Sequence, residues 1–451
     1  MESMNPATGR LIKKYSLASQ AKQRTVLRLA RRAGRHWKKI PFTRRHALLK
    51  KLALRLRARK DRLARLISLE MGKPVMEARS EIEKCAWACE YYAENSEAFL
   101  HSMDVSTDAK KSFVRFDPLG VILGVMPWNF PFWQVFRFSV PCLAAGNTVI
   151  VKHSSTVPGC AIEIEKTFFA SGFPRGVYQN VVTDAKGISW FIPNVQGVSL
   201  TGSVEAGRMI GQQAGFHLKP IVLELGGSDP FVVMGDADVN KACQGAVKGR
   251  FVNGGQSCIA AKRFIVVRKK YKAFVQNLVR LVRQLRVGSP LNAATQIGPL
   301  AGKAILENLE RQVLASTHLG ARIACGGFRW PGPGFFYAPT VLTHVKKNMP
   351  VWNEETFGPV LPILRVRSDK EALRAANETR FGLGASLWTA HTKKALEWVE
   401  EVEAGFVAIN GTVVSDPRLP FGGIKDSGMG RELGLWGVRS FANVKTVVVH
   451  G

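Results

Sequence analysis

The stretch GVSLTGSVEAGRMIGQQA, residues 197–214, decides the fold class of this chain. It combines an apolar run typical of a strand, a polar turn with glycine at Gly202, and a helical segment that follows Ser203. The segments GVYQNVVT (176–183) and LAAGNTVIVKHSS (143–155) also place apolar strands next to polar or glycine turns. This alternation of strands and helices predicts an α/β fold with largely parallel sheets.

Composition is that of a globular protein with more than one domain. The chain has 451 residues, of which 46% are hydrophobic and 22% charged, so we expect two or three domains and exclude a disordered protein. Apolar runs are interrupted before they reach membrane-spanning length, and the first residues lack the pattern of a signal peptide. Seven cysteines are too sparse and irregular for a disulfide framework. We therefore expect a cytoplasmic protein with no membrane partner.

The chain is strongly basic, with 64 Lys and Arg against 34 Asp and Glu and a formal net charge of +30. Much of the excess lies between Lys22 and Arg65, where leucines at near-helical spacing predict two helices with basic, solvated faces. Such a surface can serve solubility and attract anionic ligands, or it can bind nucleic acid or an anionic membrane. Because no recognition module accompanies the charge, we expect no specific nucleic-acid partner.

Two features favour a nucleotide site, and each has a simpler alternative. The turn at Gly202 precedes a helix, so backbone N–H groups and the helix N-terminus can face a phosphate. The turn lacks the G-x-G-x-x-G pattern, since no glycine lies between Gly202 and Gly207, and an ordinary tight turn is at least as compatible. Lys152 follows the strand 148–151, at the end where open α/β sheets bind ligands, although a surface lysine fits the same position. The shared architecture of the two features favours a nucleotide.

Cys258, in FVNGGQSCIA (251–260), follows a turn rich in glycine and amides. No C-x-x-C pattern or nearby histidine accompanies it, so no metal site is expected. A packed thiol, a Cys–His dyad and a nucleophile activated by its surroundings all remain compatible with the sequence. Glu224 lies beside paired glycines after the strand 221–223, a position that suits either a general base or a solvated loop acid. These two residues are candidates for a nucleophile and its base.

The chain resembles the aldehyde dehydrogenase superfamily over essentially its whole length, and within it the bacterial NAD(P)-dependent succinate-semialdehyde dehydrogenases. The motifs that carry the resemblance are NPATG (5–9), PWNFP (127–131), LAAGNTVIVK (143–152), TGS (201–203), LELGG (223–227), NGGQSC (253–258), EETFGPV (354–360) and PFGGIKDSGMGRELG (420–434).

The resemblance implies an α/β fold of the aldehyde dehydrogenase type that assembles as a homodimer or homotetramer. It implies a Rossmann-type cofactor domain, an α/β catalytic domain and a small β oligomerisation element. The implied ranges are 1–100 and 119–225 for the NAD(P)-binding domain, 226–435 for the catalytic domain, and 101–118 and 436–451 for the oligomerisation element.

By the same resemblance, Cys258 is the nucleophile that attacks the aldehyde to give a thiohemiacetal and then a thioester. Asn129 and the Cys258 backbone N–H would form the oxyanion hole, and Glu224 would activate the water that hydrolyses the thioester. The implied reaction oxidises succinate semialdehyde, or a related short-chain aldehyde, to the carboxylic acid with NAD(P). The alternatives are a broad-specificity aldehyde dehydrogenase for other short aldehydes and a non-enzymatic basic binding protein on the same fold.

The resemblance also implies the residues that bind the cofactor. They are Trp128, Lys152, Ser154, Ser155, Gly202, Ser203, Glu355 and Phe357. Lys152 would hold the adenosine ribose, Ser203 the pyrophosphate and Glu355 the nicotinamide ribose, with Phe357 packed near that ring. In NAD-preferring relatives a glutamate commonly occupies the position of Ser155, where its carboxylate repels a 2′-phosphate. The two hydroxyls at 154 and 155 therefore predict NADP as the preferred cofactor, with NAD also usable.

Trp133, Arg137 and Ser415 are the residues proposed to bind the substrate. Arg137 lies one helical turn after Trp133 on the same face, where it would meet an ω-carboxylate, and a structural ion pair is the alternative. Ser415 matches a hydroxyl that some relatives use on the same carboxylate. Val252 occupies the place of a second arginine found in certain succinate-semialdehyde dehydrogenases. The sequence therefore predicts the type of reaction more specifically than it predicts the identity of the aldehyde substrate.

Overall fold

The computed structural model describes residues 1–451, which form fifteen α-helices, twenty strands and the 3₁₀ turns Ile192–Asn194 and Val252–Gly255. The helices are α1 (Gln20–Trp37), α2 (Phe42–Ala58), α3 (Lys60–Met71), α4 (Val75–Phe99), α5 (Trp133–Ala144), α6 (Pro158–Ala170), α7 (Ala185–Phe191), α8 (Val204–Phe216), α9 (Val239–Phe251), α10 (Arg268–Arg283), α11 (Lys303–His318), α12 (Pro350–Asn353), α13 (Asp369–Asn377), α14 (Thr392–Glu401) and α15 (Gly434–Arg439).

The strands are β1 (Glu2–Asn5), β2 (Arg10–Lys14), β3 (Met103–Asp104), β4 (Lys111–Pro118), β5 (Val121–Met126), β6 (Thr148–His153), β7 (Tyr178–Asn180), β8 (Gly197–Thr201), β9 (Ile221–Glu224), β10 (Asp229–Val233), β11 (Ala261–Val267), β12 (Arg322–Cys325), β13 (Thr340–Thr343), β14 (Val360–Val366), β15 (Phe381–Gly382), β16 (Gly384–Trp388), β17 (Phe406–Ile409), β18 (Ile424–Lys425), β19 (Gly428–Met429) and β20 (Ala442–Val449).

A six-stranded sheet places several of the predicted site residues along one edge. Its order is β19-β9-β8-β5-β6-β7, and every neighbouring pair is parallel except β19 with β9. The chain runs outward from β5 through β6 to β7, and then returns to place β8 on the other side of β5. Open α/β sheets bind ligands at such a reversal of strand order, beyond the carboxyl ends of the strands. The predicted α/β fold with largely parallel sheets is confirmed.

A second sheet of seven strands has the order β12-β13-β14-β11-β10-β16-β17 and is parallel apart from β12. Strands β10, β11 and β16 are buried along their whole length, as expected of parallel strands covered on both faces. The segment 226–435 also contributes β19 to the six-stranded sheet. The division of the chain into the three predicted parts stays a prediction.

A three-stranded antiparallel sheet, β20-β4-β3, joins two segments that are distant in the sequence. β20 pairs with β4 over all eight of its residues, from Ala442 opposite Pro118 to Val449 opposite Lys111. Most side chains of β20 are exposed, and the outer edge of the strand has no neighbour within the chain. This sheet is formed by the segments 101–118 and 436–451 that were predicted to act together.

The basic stretch of residues 22–65 forms three helices, α1 to α3, and not the two that the leucine spacing predicted. The break lies at Arg59, whose φ of −109° and ψ of 9° end α2 just before Lys60 begins α3. In α1 the apolar face, with Val26 and Leu27, is buried while the Lys and Arg side chains are exposed, as predicted for an amphipathic helix. No helix combines the length and the apolar character needed to cross a membrane.

A buried ion pair fixes the loop that precedes α5. Lys73 and Glu81 are both buried and pair with each other. Glu81 Oε1 also accepts the backbone N–H groups of Phe132, at 2.8 Å, and Trp133, at 3.0 Å. A carboxylate at the start of a helix satisfies N–H groups that have no partner within the helix and interacts favourably with the helix dipole. These contacts hold the loop 127–132 at the carboxyl end of β5.

Candidate active site

Cys258 follows a tight turn in which three consecutive residues have positive φ. The φ angles are 53° at Asn253, 60° at Gly254 and 77° at Gly255. A Cβ atom at Gly255 would lie 2.2 Å from the carbonyl oxygen of Gly358, so only glycine fits at this close approach. The glycine-rich sequence before Cys258 is therefore explained by the backbone path that carries the thiol into the site.

Asn129 packs against this turn. Its Nδ2 donates to the carbonyl oxygen of Gln256 at 3.0 Å, and its Oδ1 accepts from Gln134 Nε2 at 3.0 Å. Its own carbonyl oxygen accepts from Asn253 Nδ2 at 2.8 Å. These bonds fix the orientation of the amide and leave its second N–H without a protein acceptor, in a cavity that Cys258 also lines. The structure thus brings Asn129 and Cys258 together, and the role of Asn129 as an oxyanion donor stays a prediction.

Cys258 is half-buried, and all seven cysteines are free. Burial raises the pKa of the Cys258 thiol to about 11, although the positive charges of Arg137 and Lys262 act in the opposite direction. The thiol is therefore mainly protonated at neutral pH before ligands bind, and it needs a base or a further positive charge to become a nucleophile. No group of three or more His, Cys, Asp or Glu side chains has an arrangement that could hold a metal ion.

Glu224 ends β9 and is buried, with Oε1 of its carboxyl group lacking a hydrogen-bond partner. Burial raises the pKa of this carboxyl well above its usual range, with Arg137 opposing the shift and Glu432 reinforcing it. A raised pKa suits a general base that works near neutral pH. Glu224 lines neither of the two cavities that reach Cys258, so its side chain must rotate before it can activate a water there.

The cofactor cavity, as we call the space of about 370 Å³ beyond β5 and β8, opens where the strand order reverses. The predicted cofactor residues that line it together with Cys258 are Trp128, Gly202, Ser203, Glu355 and Phe357. The rings of Trp128 and Phe357 are in edge-to-face contact, with centroids 5.8 Å apart. Ser203 caps α8 by accepting the backbone N–H of Ala206 at 3.2 Å, so the positive end of this helix lies at the same edge.

Lys152, Ser154 and Ser155 lie at the carboxyl end of the neighbouring strand β6 and do not line the cofactor cavity. Burial lowers the pKa of the Lys152 ammonium group, and the charge of Asp184 acts in the opposite direction. Ser154 is bonded within its own loop to Thr156, at 3.3 Å between the hydroxyl oxygens, whereas Ser155 is exposed. The end of β6 and the loop after it thus offer a cation and hydroxyl groups and no carboxylate.

The structure also places at the site a buried lysine that the sequence analysis did not single out. Lys262 is fully buried in β11, and its ammonium group donates to the carbonyl oxygens of Gly227, at 2.7 Å, and Cys258, at 2.8 Å. It also pairs with Glu355 Oε1 at 2.8 Å, and the same oxygen accepts the Gly227 N–H at 3.0 Å. One ammonium group thus links the backbone of the candidate nucleophile to a carboxylate of the cofactor cavity. The signal in the sequence was the pair Lys262 and Arg263 at the start of AKRFIVV, a strand that is otherwise apolar and begins three residues after Cys258.

The substrate cavity, as we call a second space of about 260 Å³, meets the cofactor cavity at Cys258. The three predicted substrate residues Trp133, Arg137 and Ser415 line it. Lys84, which the sequence analysis did not single out, lines it as well. The hydroxyl oxygen of Ser415 accepts from the indole N–H of Trp133 at 3.0 Å and from the ammonium group of Lys84 at 2.8 Å.

Arg137 lies in α5 on the same face as Trp133, as predicted, but its guanidinium group is already engaged within the protein. It forms a buried ion pair with Glu432, which belongs to the motif at 420–434. It also donates to Thr201 Oγ1 at 3.2 Å and lies 4.7 Å from the centroid of the Phe421 ring. These contacts match the structural alternative given for Arg137, and a contact with substrate stays a prediction.

Comparison with known proteins agrees with this geometry. Residues 1–447 match the family described as the aldehyde dehydrogenase family. The chain is 45% identical over 447 residues to a probable succinate-semialdehyde dehydrogenase (NADP(+)) of Synechocystis sp., covering 99% of this chain and 98% of that protein. It is 44% identical over 452 residues, with the same coverage, to succinate-semialdehyde dehydrogenase (NADP(+)) 1 of Mycobacterium tuberculosis.

Solved structures show the same likeness. The crystal structure of succinic semialdehyde dehydrogenase from Streptococcus pyogenes, in complex with NADP+, matches with a TM-score of 0.97 at 33% identity. The match covers 100% of both chains. The fold, the junction of two cavities at Cys258 and the whole-length likeness agree, and the chain belongs to the aldehyde dehydrogenase family.

Proposed function

We propose that this protein oxidises succinate semialdehyde to succinate, with NADP as the preferred cofactor and NAD as a usable one. The observation that carries the proposal is the position of Cys258 at the junction of the cofactor cavity and the substrate cavity. A thiol at that junction can hold an aldehyde carbon with its polar tail in one cavity and its hydrogen directed at the other. The names and the whole-length identity of the relatives support the same substrate and cofactor.

The chemistry follows from the residues around Cys258. Cys258 first loses its thiol proton to solvent, and the thiolate sulfur adds to the aldehyde carbon. The oxyanion that forms accepts hydrogen bonds from the Asn129 amide and the Cys258 backbone N–H. Loss of hydride from the same carbon leaves a thioester. Glu224 then takes a proton from water, and the resulting hydroxide displaces the Cys258 sulfur as the acid forms. In total, aldehyde, water and oxidised cofactor give carboxylate, reduced cofactor and two protons.

The cofactor, when bound, supplies the hydride acceptor, and the residues of the cofactor cavity fit a dinucleotide. A Cβ atom at Gly226 would lie 2.4 Å from Glu355 Oε2, so a side chain there would disturb the carboxylate proposed to bind the nicotinamide ribose. Trp128 and Phe357 provide flat apolar surfaces, and the capped start of α8 behind Ser203 suits a pyrophosphate.

The preference for NADP is supported by the loop that follows β6. Lys152 carries a positive charge without a salt-bridge partner, and Ser154 and Ser155 supply hydroxyl groups where a carboxylate would repel a 2′-phosphate. These are the groups expected around a phosphorylated ribose.

The direct test is the absorbance of reduced NADP formed from succinate semialdehyde. We expect Cys258→Ser to abolish turnover, and Cys325→Ser, which changes a half-buried cysteine of β12 that lines neither cavity, to leave it unchanged. Equal activity of the Cys258 variant and the wild type would contradict the proposal.

The two alternatives differ from the proposal in measurable ways. A broad-specificity aldehyde dehydrogenase would oxidise a panel of short uncharged aldehydes with kcat/KM values close to that for succinate semialdehyde. A non-enzymatic binding protein would show no turnover with any aldehyde, and its net charge of +30 would retain it on a nucleic-acid column in a salt-dependent way.

The assembly that we propose is a homodimer or homotetramer built through the sheet β20-β4-β3. The support for it is the unpaired outer edge of β20, since an open strand edge can add a strand from a second chain. Light scattering after gel filtration measures the mass of the assembly directly.

We also propose a cytoplasmic location, because seven free cysteines fit a reducing compartment.

A further inference from the structure

The substrate cavity contains a cation whose charge is not used by the protein. Lys84 reaches into the cavity from α4, and its ammonium group donates to Ser415 Oγ at 2.8 Å. The same group lies 4.4 Å from the centroid of the Trp133 ring, which favours a positive charge above its face. None of its contacts is a salt bridge, so its charge remains available to an anion.

The other cations that line the cavity differ from Lys84 in this respect. Arg137 is buried and paired with Glu432, so its charge is compensated. Lys248 is exposed to solvent, and a charge in that position is screened by water. Lys84 is therefore the cation that combines a protected position with a free charge.

Ser415 adds a hydrogen-bond donor next to the Lys84 ammonium group. A hydroxyl group has two lone pairs and one proton, and both lone pairs of Ser415 are used, by Trp133 at 3.0 Å and Lys84 at 2.8 Å. The proton of Ser415 is therefore available for donation to a third group. The Lys84 ammonium group likewise keeps protons beyond the one that it donates to Ser415. The pair presents donors from both members to an incoming acceptor.

We propose that Lys84 and Ser415 together bind the ω-carboxylate of the aldehyde substrate, with Lys84 as its counter-ion, while Arg137 serves to hold Glu432. This inference rests on the proposed function, since it requires an anionic aldehyde. The cavity runs from this pair to Cys258, so a carboxylate bound here directs the other end of a short chain towards the sulfur. Much of the remaining wall, including Phe130, Val413 and Phe421, is apolar and suits a methylene chain.

The electrostatic state of Lys84 agrees with this assignment. Burial, followed by the charge of Arg137, lowers the pKa of the Lys84 ammonium group to about 8, against the opposing effects of Cys85 and Asp416. Holding a partly buried cation without an anion is unfavourable, and a carboxylate that binds beside it restores the lost stabilisation.

The test compares succinate semialdehyde with 4-methylpentanal, in which a branched alkyl group replaces the carboxylate at nearly the same shape. We expect Lys84→Met to lower the ratio of kcat/KM for the anionic over the neutral aldehyde by roughly 10- to 100-fold, mostly through KM, because a hydrogen-bonded charge is lost. Lys84→Arg should restore part of the ratio, and Lys241→Met, at an exposed lysine of α9 that lines neither cavity, is the control that should leave it near the wild-type value.

Two results would overturn the inference in distinguishable ways. If the wild type prefers succinate semialdehyde and Lys84→Met keeps that preference, Lys84 is not the counter-ion and the proposed function stands. If the wild type has no preference for the anionic aldehyde, the proposed substrate and this inference both fail.

A second measurement does not depend on turnover. Succinate should slow the alkylation of Cys258 by iodoacetamide in the wild type and in Lys84→Arg, but not in Ser415→Ala or Lys84→Met. Equal protection in all four proteins contradicts the inference. The melting temperature of each variant shows whether it is folded.

Discussion

The two cavities that meet at Cys258 are built from different parts of the chain. The cofactor cavity lies beyond the strand ends of one sheet, and its polar groups include a capped helix terminus and backbone groups near Gly226. The substrate cavity lies between α4, α5 and the loop 412–415, and its polar groups are mainly side chains. The difference predicts that cofactor binding depends mainly on backbone geometry, whereas substrate choice depends on side-chain charges that packing brings together.

The largest effect is expected at Glu224, which we propose as the base for hydrolysis of the thioester. Glu224→Gln keeps the shape of the side chain but removes the base, and kcat should fall by roughly 10²- to 10⁴-fold. Because hydride transfer precedes hydrolysis, a rapid burst of reduced NADP close to one per active site should remain. Stopped-flow absorbance measures that burst. The exposed Glu205→Gln is the control, and loss of the burst itself would show that Glu224 acts before hydrolysis.

The cofactor side is tested next by Ser155→Glu. A carboxylate at this exposed position should repel the 2′-phosphate, and we expect the ratio of kcat/KM for NADP over NAD to fall by roughly 100-fold, as like charges brought together cost several kcal/mol. Ser155→Gln has the same size without the charge and should change the ratio much less. A wild-type enzyme that prefers NAD would contradict the assignment of this loop.

A variant of Lys262 tests whether the two cavities act independently. Lys262 contacts Cys258 and Glu355 but does not line the substrate cavity. Lys262→Met should raise the KM for NADP and slow the alkylation of Cys258 at a fixed pH by roughly tenfold, the change that one pKa unit produces. The KM for the aldehyde should change less. Lys84→Met is expected to show the reverse pattern, and a common pattern in both variants would break the distinction between the cavities.

The smallest effect is a pH dependence of substrate choice. Lys84 is charged below its pKa of about 8, which burial and then Arg137 have lowered against the charges of Cys85, Asp416 and Glu81. The anionic aldehyde should therefore lose its advantage over 4-methylpentanal as the pH rises above about 8. Both aldehydes depend on the same catalytic groups, so the titration of those groups affects both kcat/KM values equally and cancels in their ratio. Lys84→Arg should flatten this profile, and a flat wild-type profile would contradict the role of Lys84.

Residues at the ends of parallel strands could be predicted from the sequence. Trp128, Gly202 and Glu224 follow or end β5, β8 and β9, and strands in one parallel sheet bring their carboxyl ends to the same edge. Asn129 and Cys258 were likewise recognisable from their motifs, and the hydrogen bonds around Asn253 show how the two loops are joined.

Residues that act through packing could not be predicted in this way. Lys84 and Ser415 are 331 positions apart in the chain, and their contact exists only because α4 packs beside the loop that carries the serine. The ion pair of Arg137 with Glu432 also depends on packing between distant segments. The helix pattern correctly predicted that Arg137 lies on the same face as Trp133, but it could not show that the guanidinium group is already paired. The break at Arg59 was missed because one residue leaves helical geometry without a proline or glycine to mark it.

The position of Cys258 where the two cavities meet has a consequence for inhibitor design. A covalent inhibitor that captures this sulfur can carry two arms, one in each cavity. The arm in the cofactor cavity would resemble a nucleotide, and its affinity would come from contacts with the motif residues that line this cavity. The arm in the substrate cavity, ending in a carboxylate beside Lys84 and Ser415, would supply selectivity among enzymes that share the same nucleophile.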